Sequence, residues 1–134
     1  MPIERDETVA LLSSEDVVRV RQKVRATAIE IGFGLVDQTK IITAASELAR
    51  NTVQHGGGGG MRLQVLKESN RRGLRLAFED RGPGIPDVEQ AMKNGYTTVG
   101  GLGLGLGGAR RLSHEFQISS TLGEGTRVTI TCWR

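Results

Sequence analysis

Leu74-Arg75-Leu76-Ala77-Phe78-Glu79-Asp80-Arg81-Gly82-Pro83-Gly84-Ile85-Pro86 is the stretch on which the fold turns. Leu74 to Asp80 reads as a strand, and the chain then enters a turn where Gly82 and Gly84 let the backbone pass tightly. Pro83 and Pro86 stiffen that turn, and Ile85 can pack as its apolar floor. Asp80 therefore stands at the carboxyl edge of a strand, where an acceptor can be held against a ligand. An ordinary Asp-Arg-Gly turn needs none of the residues that follow; Asp-x-Gly-x-Gly with Ile-Pro behind it is more specific.

Upstream, Met61 to Glu68 reads as a partner strand, joined to the first through Ser69-Asn70-Arg71-Arg72-Gly73, a hairpin signal. Five glycines, Gly56 to Gly60, break the chain before it, because that much backbone freedom cannot continue a helix. Before the glycines a helix is predicted from Val36 to His55, with Ile42, Ala45, Ala49 and Val53 inward. An earlier helix starts near Ser13 or Ser14, carries Val17, Val20, Val24, Ala28 and Ile31 as one apolar stripe, and ends at Gly32 and Gly34. Thr8 to Leu12 reads as a short strand. Downstream, Pro86 to Lys93 and Gly103 to Ser113 read as short helices, and Phe116 to Thr121 and Arg127 to Trp133 as a closing hairpin around Gly123-Glu124-Gly125. The predicted fold class is α/β: a two-layer sandwich with helices on one face of a mixed, mostly antiparallel sheet. A chain of 134 residues, 37% hydrophobic, suits one domain spanning residues 1–134.

Glu47 and Asn51 lie at i and i+4, so both emerge from one face of the second helix. A carboxylate there can take a proton from an attacking hydroxyl or water, and an amide oxygen can coordinate Mg²⁺. Taken alone, such a pair is most often the solvated edge of an amphipathic helix. Arg50 and His55 flank it and can reach a phosphate, or serve as surface and helix-end residues. Asp80 can accept a hydrogen bond from the adenine amino group, which discriminates adenine from guanine. The run from Gly100 to Gly108 is a weak dinucleotide fingerprint, with no strand before it, but suits a phosphate-cradling loop anchored by Leu102, Leu104 and Leu106. Thr126, after Gly125, can support an adenine directly or through water.

The order of these elements resembles the GHKL ATPase superfamily, the Bergerat-fold group of gyrase B, histidine kinases and MutL. That resemblance implies Glu47 as base and Asn51 as metal ligand, with nucleotide contacts from Asn51, Asp80, Gly82, Gly84, Ile85, Gly101, Leu102, Gly103, Leu104, Gly105 and Thr126. The implied cofactors are ATP and Mg²⁺. Within the superfamily the chain most resembles small serine/threonine switch kinases of the RsbT type. Stretches that carry this likeness include Gly32-Phe33-Gly34-Leu35-Val36-Asp37-Gln38 and Gly95-Tyr96-Thr97-Thr98-Val99-Gly100. It implies STAS-domain antagonist and scaffold proteins as substrates, and a downstream phosphatase or effector activated by the released kinase. The segment from Pro86 to Gly100 is short and has no Arg just before the glycine run, leaving Arg110 and Arg111 as candidates for the γ-phosphate. An anti-sigma kinase of the RsbW type is the alternative, although its longer lid and acidic tendency are missing. A histidine-kinase catalytic domain would need a phosphoacceptor helix pair, and neither His55 nor His114 sits in one.

Charge and composition point the same way. With 18 basic against 15 acidic residues and 4% aromatic content, the net charge of +3 is a modest surplus, and a nucleic-acid partner is not expected. Arg19, Arg21, Lys23 and Arg25 stand away from the first helix's apolar stripe, a solvated face placed to meet an acidic partner. Cys132 is the only cysteine, which excludes an internal disulfide and a multi-cysteine metal site and suits a reducing cytosol. No run is apolar and long enough to span a bilayer, so a cytoplasmic protein with no membrane partner is expected.

Overall fold

The computed structural model describes residues 2–92 and 106–134. Along the chain come β1 (Ile3–Leu11), α1 (Ser14–Ile31), α2 (Leu35–Gln54), β2 (Gly59–Glu68), β3 (Arg71–Asp80), α3 (Val88–Ala91), α4 (Leu106–Arg111), β4 (Glu115–Thr121) and β5 (Gly125–Trp133). The strands form one sheet in the order β1-β2-β3-β5-β4. The expected mixed sheet is in fact antiparallel at every pairing among the described residues. Its strands join by hairpins or by returns that reverse direction, so no parallel neighbour arises.

The helices line one face of the sheet. There Met61 opposes Phe78 and Leu63 opposes Leu76 between β2 and β3, while Leu76 and Phe78 oppose Ile130 and Val128 on β5. Residues directly opposite share a face, and all six are buried. The predicted stripe of α1 is buried throughout, as are Ile42, Ala45 and Ala49 of α2, with Val53 half-buried against the same core. The other sheet face is polar and carries Arg62, Arg75, Gln117 and Thr129.

β1 begins at Ile3, well before the expected Thr8, although residues 4–7 are all charged. Pairing across strands accommodates Glu4 and Asp6, while Arg5 and Glu7 pair with Glu30 and Lys23 of α1 at 2.8 and 2.5 Å. The Arg62 guanidinium donates to both Asp6 oxygens at 2.8 and 2.6 Å, and Arg72 donates to Glu4 at 3.1 Å. The Arg62 bonds foremost, with one from Gln64 Nε2 at 3.3 Å, hold the Asp6 carboxyl down at about 2. Charged side chains also suit a sheet edge, where they discourage pairing with another chain.

Asp16 opens α1 by accepting the Leu12 and Ser13 N–H groups at 2.8 and 3.3 Å, and the Leu12 bond foremost lowers its pKa. The helix closes where the Gly32 and Phe33 N–H groups donate to the Ala28 carbonyl at 3.1 and 3.0 Å. Among the described residues no helix is long and apolar enough to cross a membrane.

Candidate functional site

Three chain ends converge at one end of the sandwich: the last turn of α2, the carboxyl end of β3 and the start of β5. Between them lies a pocket whose floor is apolar, made by Leu48, Phe78, Ile85, Leu106 and Val128. Its polar groups come from Asn51, Thr52 and His55 on α2, Asp80 on β3 and Thr126 on β5. An apolar cavity with a few convergent polar groups is the usual form of a small-molecule site. An apolar floor beside a carboxylate can hold a flat ligand that carries a hydrogen-bond donor on one edge.

Asp80 and Thr126 are direct partners in the β3–β5 ladder, so their side chains leave the same face of the sheet. The Gly82 N–H donates to Asp80 Oδ1 at 2.9 Å, which locks the start of the turn. Gly82 itself packs against the backbone of Gly56, where a Cβ would come within 2.7 Å. Gly84 has φ of +80°, and a Cβ there would reach 2.6 Å from the Thr121 carbonyl, so conformation and space both favour glycine.

Ser120 was not visible as a site residue in the sequence, where it is one of two serines in a polar strand. In the fold it ties three parts together. Its hydroxyl accepts the Ile85 N–H at 2.8 Å and lies 2.8 Å from the Thr126 hydroxyl and 3.3 Å from the Gly125 carbonyl. It thereby holds the glycine turn after β3 against the strand that carries Thr126. Thr52, another pocket residue, donates its hydroxyl to the Leu48 carbonyl at 2.9 Å.

Asn51, Asp80, Gly84, Ile85 and Thr126 thus meet in one pocket, with Gly82 immediately behind it. Glu47 stands one helical turn before Asn51 and outside the pocket lining; its carboxylate is paired with Arg50 on the same helix. Arg50 therefore faces Glu47 rather than the pocket, whereas His55 lines it. Gly101, Leu102, Gly103, Leu104 and Gly105 lie outside the described residues. Arg111 is not brought to the pocket: it borders a separate cavity with Phe33, Asp37 and Lys40, at the opposite end of α2. Arg110 is exposed and does not line the pocket either. The reason is the direction of α4, which starts at the pocket with Leu106 and runs away from it.

Residues 36–134 match the family described as histidine kinase-, DNA gyrase B-, and HSP90-like ATPase. The chain belongs to that family. It is 44% identical over 125 residues to the serine/threonine-protein kinase RsbT of Bacillus subtilis (strain 168), across 93% of this chain and 94% of that protein. With identity at that level over nearly the full length of both, it is an RsbT-type member, of the serine/threonine kinase class. It is also 32% identical over 121 residues to the anti-sigma F factor of Pasteuria penetrans, across 86% of this chain and 81% of that one. A solved structure, the RsbU and RsbW domains of Rv1364c from Mycobacterium tuberculosis, shares the fold with a TM-score of 0.63 at 20% identity. That match covers 97% of this chain and one third, 33%, of the other.

Asn51 lines the described pocket, and among the described residues no group of three or more His, Cys, Asp or Glu is placed to hold a metal. A single amide oxygen fits Mg²⁺, which keeps several waters and takes its remaining ligands from phosphates.

Proposed function

We propose that the chain is an ATP-dependent protein kinase of a bacterial partner-switching pathway of the stressosome type. Its substrates would be serines or threonines on STAS-domain antagonist and scaffold proteins, and the released kinase would activate a downstream phosphatase or effector in the cytoplasm. The convergence of Asn51, Asp80 and Thr126 on one apolar-floored pocket, in a chain so similar to RsbT, carries the proposal.

In it, Asp80 accepts from the adenine amino group, Thr126 supports the base edge, and Ile85 lies under the ring, while Gly82 and Gly84 let the turn approach it. Asn51 would hold Mg²⁺, which would offset the charge of the phosphates, and Glu47 would take the proton of the attacking hydroxyl once it turns from Arg50. Gly101 to Gly105, with Leu102 and Leu104 as anchors, would cradle the phosphates. Mg-ATP supplies the transferable phosphoryl group, and the protein's share is mainly positioning.

Phosphorylation adds about −1.5 to −2 charges to the substrate beside groups already negative, which favours its release. On α1, Arg19 and Lys23 are tied to Asp16 and Glu7, leaving Arg21 and Arg25 as the more available cations for an acidic partner.

The test mixes the purified chain with a STAS antagonist from the same genome and Mg-ATP, following complex and phosphate by native gel and mass spectrometry. Stoichiometric phosphorylation with loss of the complex is expected. A complex that survives full phosphorylation would refute release. The likeness to anti-sigma F factors favours a second reading, sequestration of a sigma subunit. Capture of a sigma factor with no STAS phosphorylation would support it.

A further inference from the structure

We infer that Gly56, which itself lines the pocket, is a positioning residue for Asp80, and so sets base selectivity through the carboxylate it leaves room for. The inference rests on the proposal that Asp80 reads adenine. Gly56 follows the last turn of α2, where its N–H donates to the Asn51 carbonyl at 3.0 Å. Its φ is not positive, so an L-residue could adopt this backbone. Space is what requires glycine here. A Cβ at Gly56 would overlap the Asp80 side chain, coming within 2.5 Å of Oδ2, closer than the 3.0 Å that Cβ atoms keep.

The obstacle is not a free-swinging tip. Asp80 Oδ1 is held by the Gly82 N–H at 2.9 Å, and Gly82 in turn packs on the Gly56 backbone. A methyl group at position 56 therefore has to push the carboxylate off its present orientation or separate the end of α2 from the turn after β3. In the glycine run Gly56 to Gly60, the first glycine serves the pocket. Gly59 serves the sheet instead, because a Cβ there would collide with the Glu79 carbonyl.

The experiment compares Mg-ADP with Mg-IDP, whose base carries an oxygen where adenine carries its amino group. Calorimetry is run on the wild type, Gly56→Ala, Asp80→Gly and the double variant. Gly34→Ala is the control, since a Cβ there meets nothing within 4 Å. Gly56→Ala is expected to weaken ADP binding about tenfold, the scale of one displaced hydrogen bond, while changing IDP binding less than twofold. In the Asp80→Gly background the same substitution should add nothing, because the colliding side chain is gone.

Equal losses for ADP and IDP in Gly56→Ala would overturn the inference while leaving Asp80 as the base reader. Equal affinity of the wild type for ADP and IDP would overturn both. Should Gly56→Ala fold poorly, melting temperatures decide: recovery in the double variant supports the contact with Asp80, and no recovery overturns it.

Discussion

Asp80 and Thr126 face each other across the β3–β5 ladder, and both line the same pocket. The pairing makes one polar edge from two strands, because directly opposed residues on antiparallel strands present their side chains to one face about 4.5–5.5 Å apart. Behind Thr126, Ser120 bonds to the turn that follows Asp80, so the edge is braced from the rear.

Asp80→Asn is expected to weaken ATP and ADP binding by about 1–3 kcal/mol, since an amide nitrogen or a misoriented oxygen then faces a buried donor. The wild type should bind ATP with little GTP binding. Calorimetry with the two nucleotides checks both, and equal affinities would remove the base-reading role.

Binding and chemistry should separate along α2. Glu47→Ala is expected to keep nucleotide binding and lose phosphoryl transfer by roughly 10²–10⁴-fold, the range of a general base. Asn51→Ala should weaken Mg-ATP itself. Rates at saturating ATP, measured beside dissociation constants, distinguish them, and full activity in Glu47→Ala would leave that residue a partner of Arg50 only.

Ser120→Ala removes the acceptor of the Ile85 N–H and the partner of the Thr126 hydroxyl together. A loss of about 1–3 kcal/mol in nucleotide affinity is expected, with a smaller fall in melting temperature, because the turn loses its anchor at the pocket rather than in the core. Unchanged affinity would show that the turn is held by its glycines alone.

Acid should loosen the β1 edge. The Asp6 pKa falls from 3.8 to about 2 on folding, chiefly through Arg62, so the ionised carboxylate binds fewer protons in the folded state. Its contribution is present above about pH 4 and lost as pH falls toward 2. Arg62→Met is expected to flatten the stability curve across that window, as followed by denaturant unfolding at stepped pH.

Cys132 is buried, and burial pushes its thiol up to about 11. The thiolate is therefore scarce at neutral pH. Alkylation of the native protein by iodoacetamide at pH 7–8 should be slow and should rise sharply on unfolding. Rapid labelling of the folded chain would contradict that burial.

The strands and helices with strong periodicity were legible from the sequence alone. Val17, Val20, Val24, Ala28 and Ile31 repeat at helical spacing and are all buried, because a helix's inward stripe is written locally. The i, i+4 placement of Glu47 and Asn51, and Asp80 at a strand end, are local in the same sense. Tertiary structure decided what no local pattern encodes: that Thr126 pairs with Asp80, that Ser120 braces both, and that Gly56 is the space left for a carboxylate. It also decided that charged residues 4–7 extend β1, since the partners of Asp6 and Glu4, Arg62 and Arg72, arrive only when the sheet assembles, and those of Arg5 and Glu7, Glu30 and Lys23, only when α1 packs against it. Strand order and register come from packing side chains of distant segments into one core, and a contact between distant segments exists only after that core has formed.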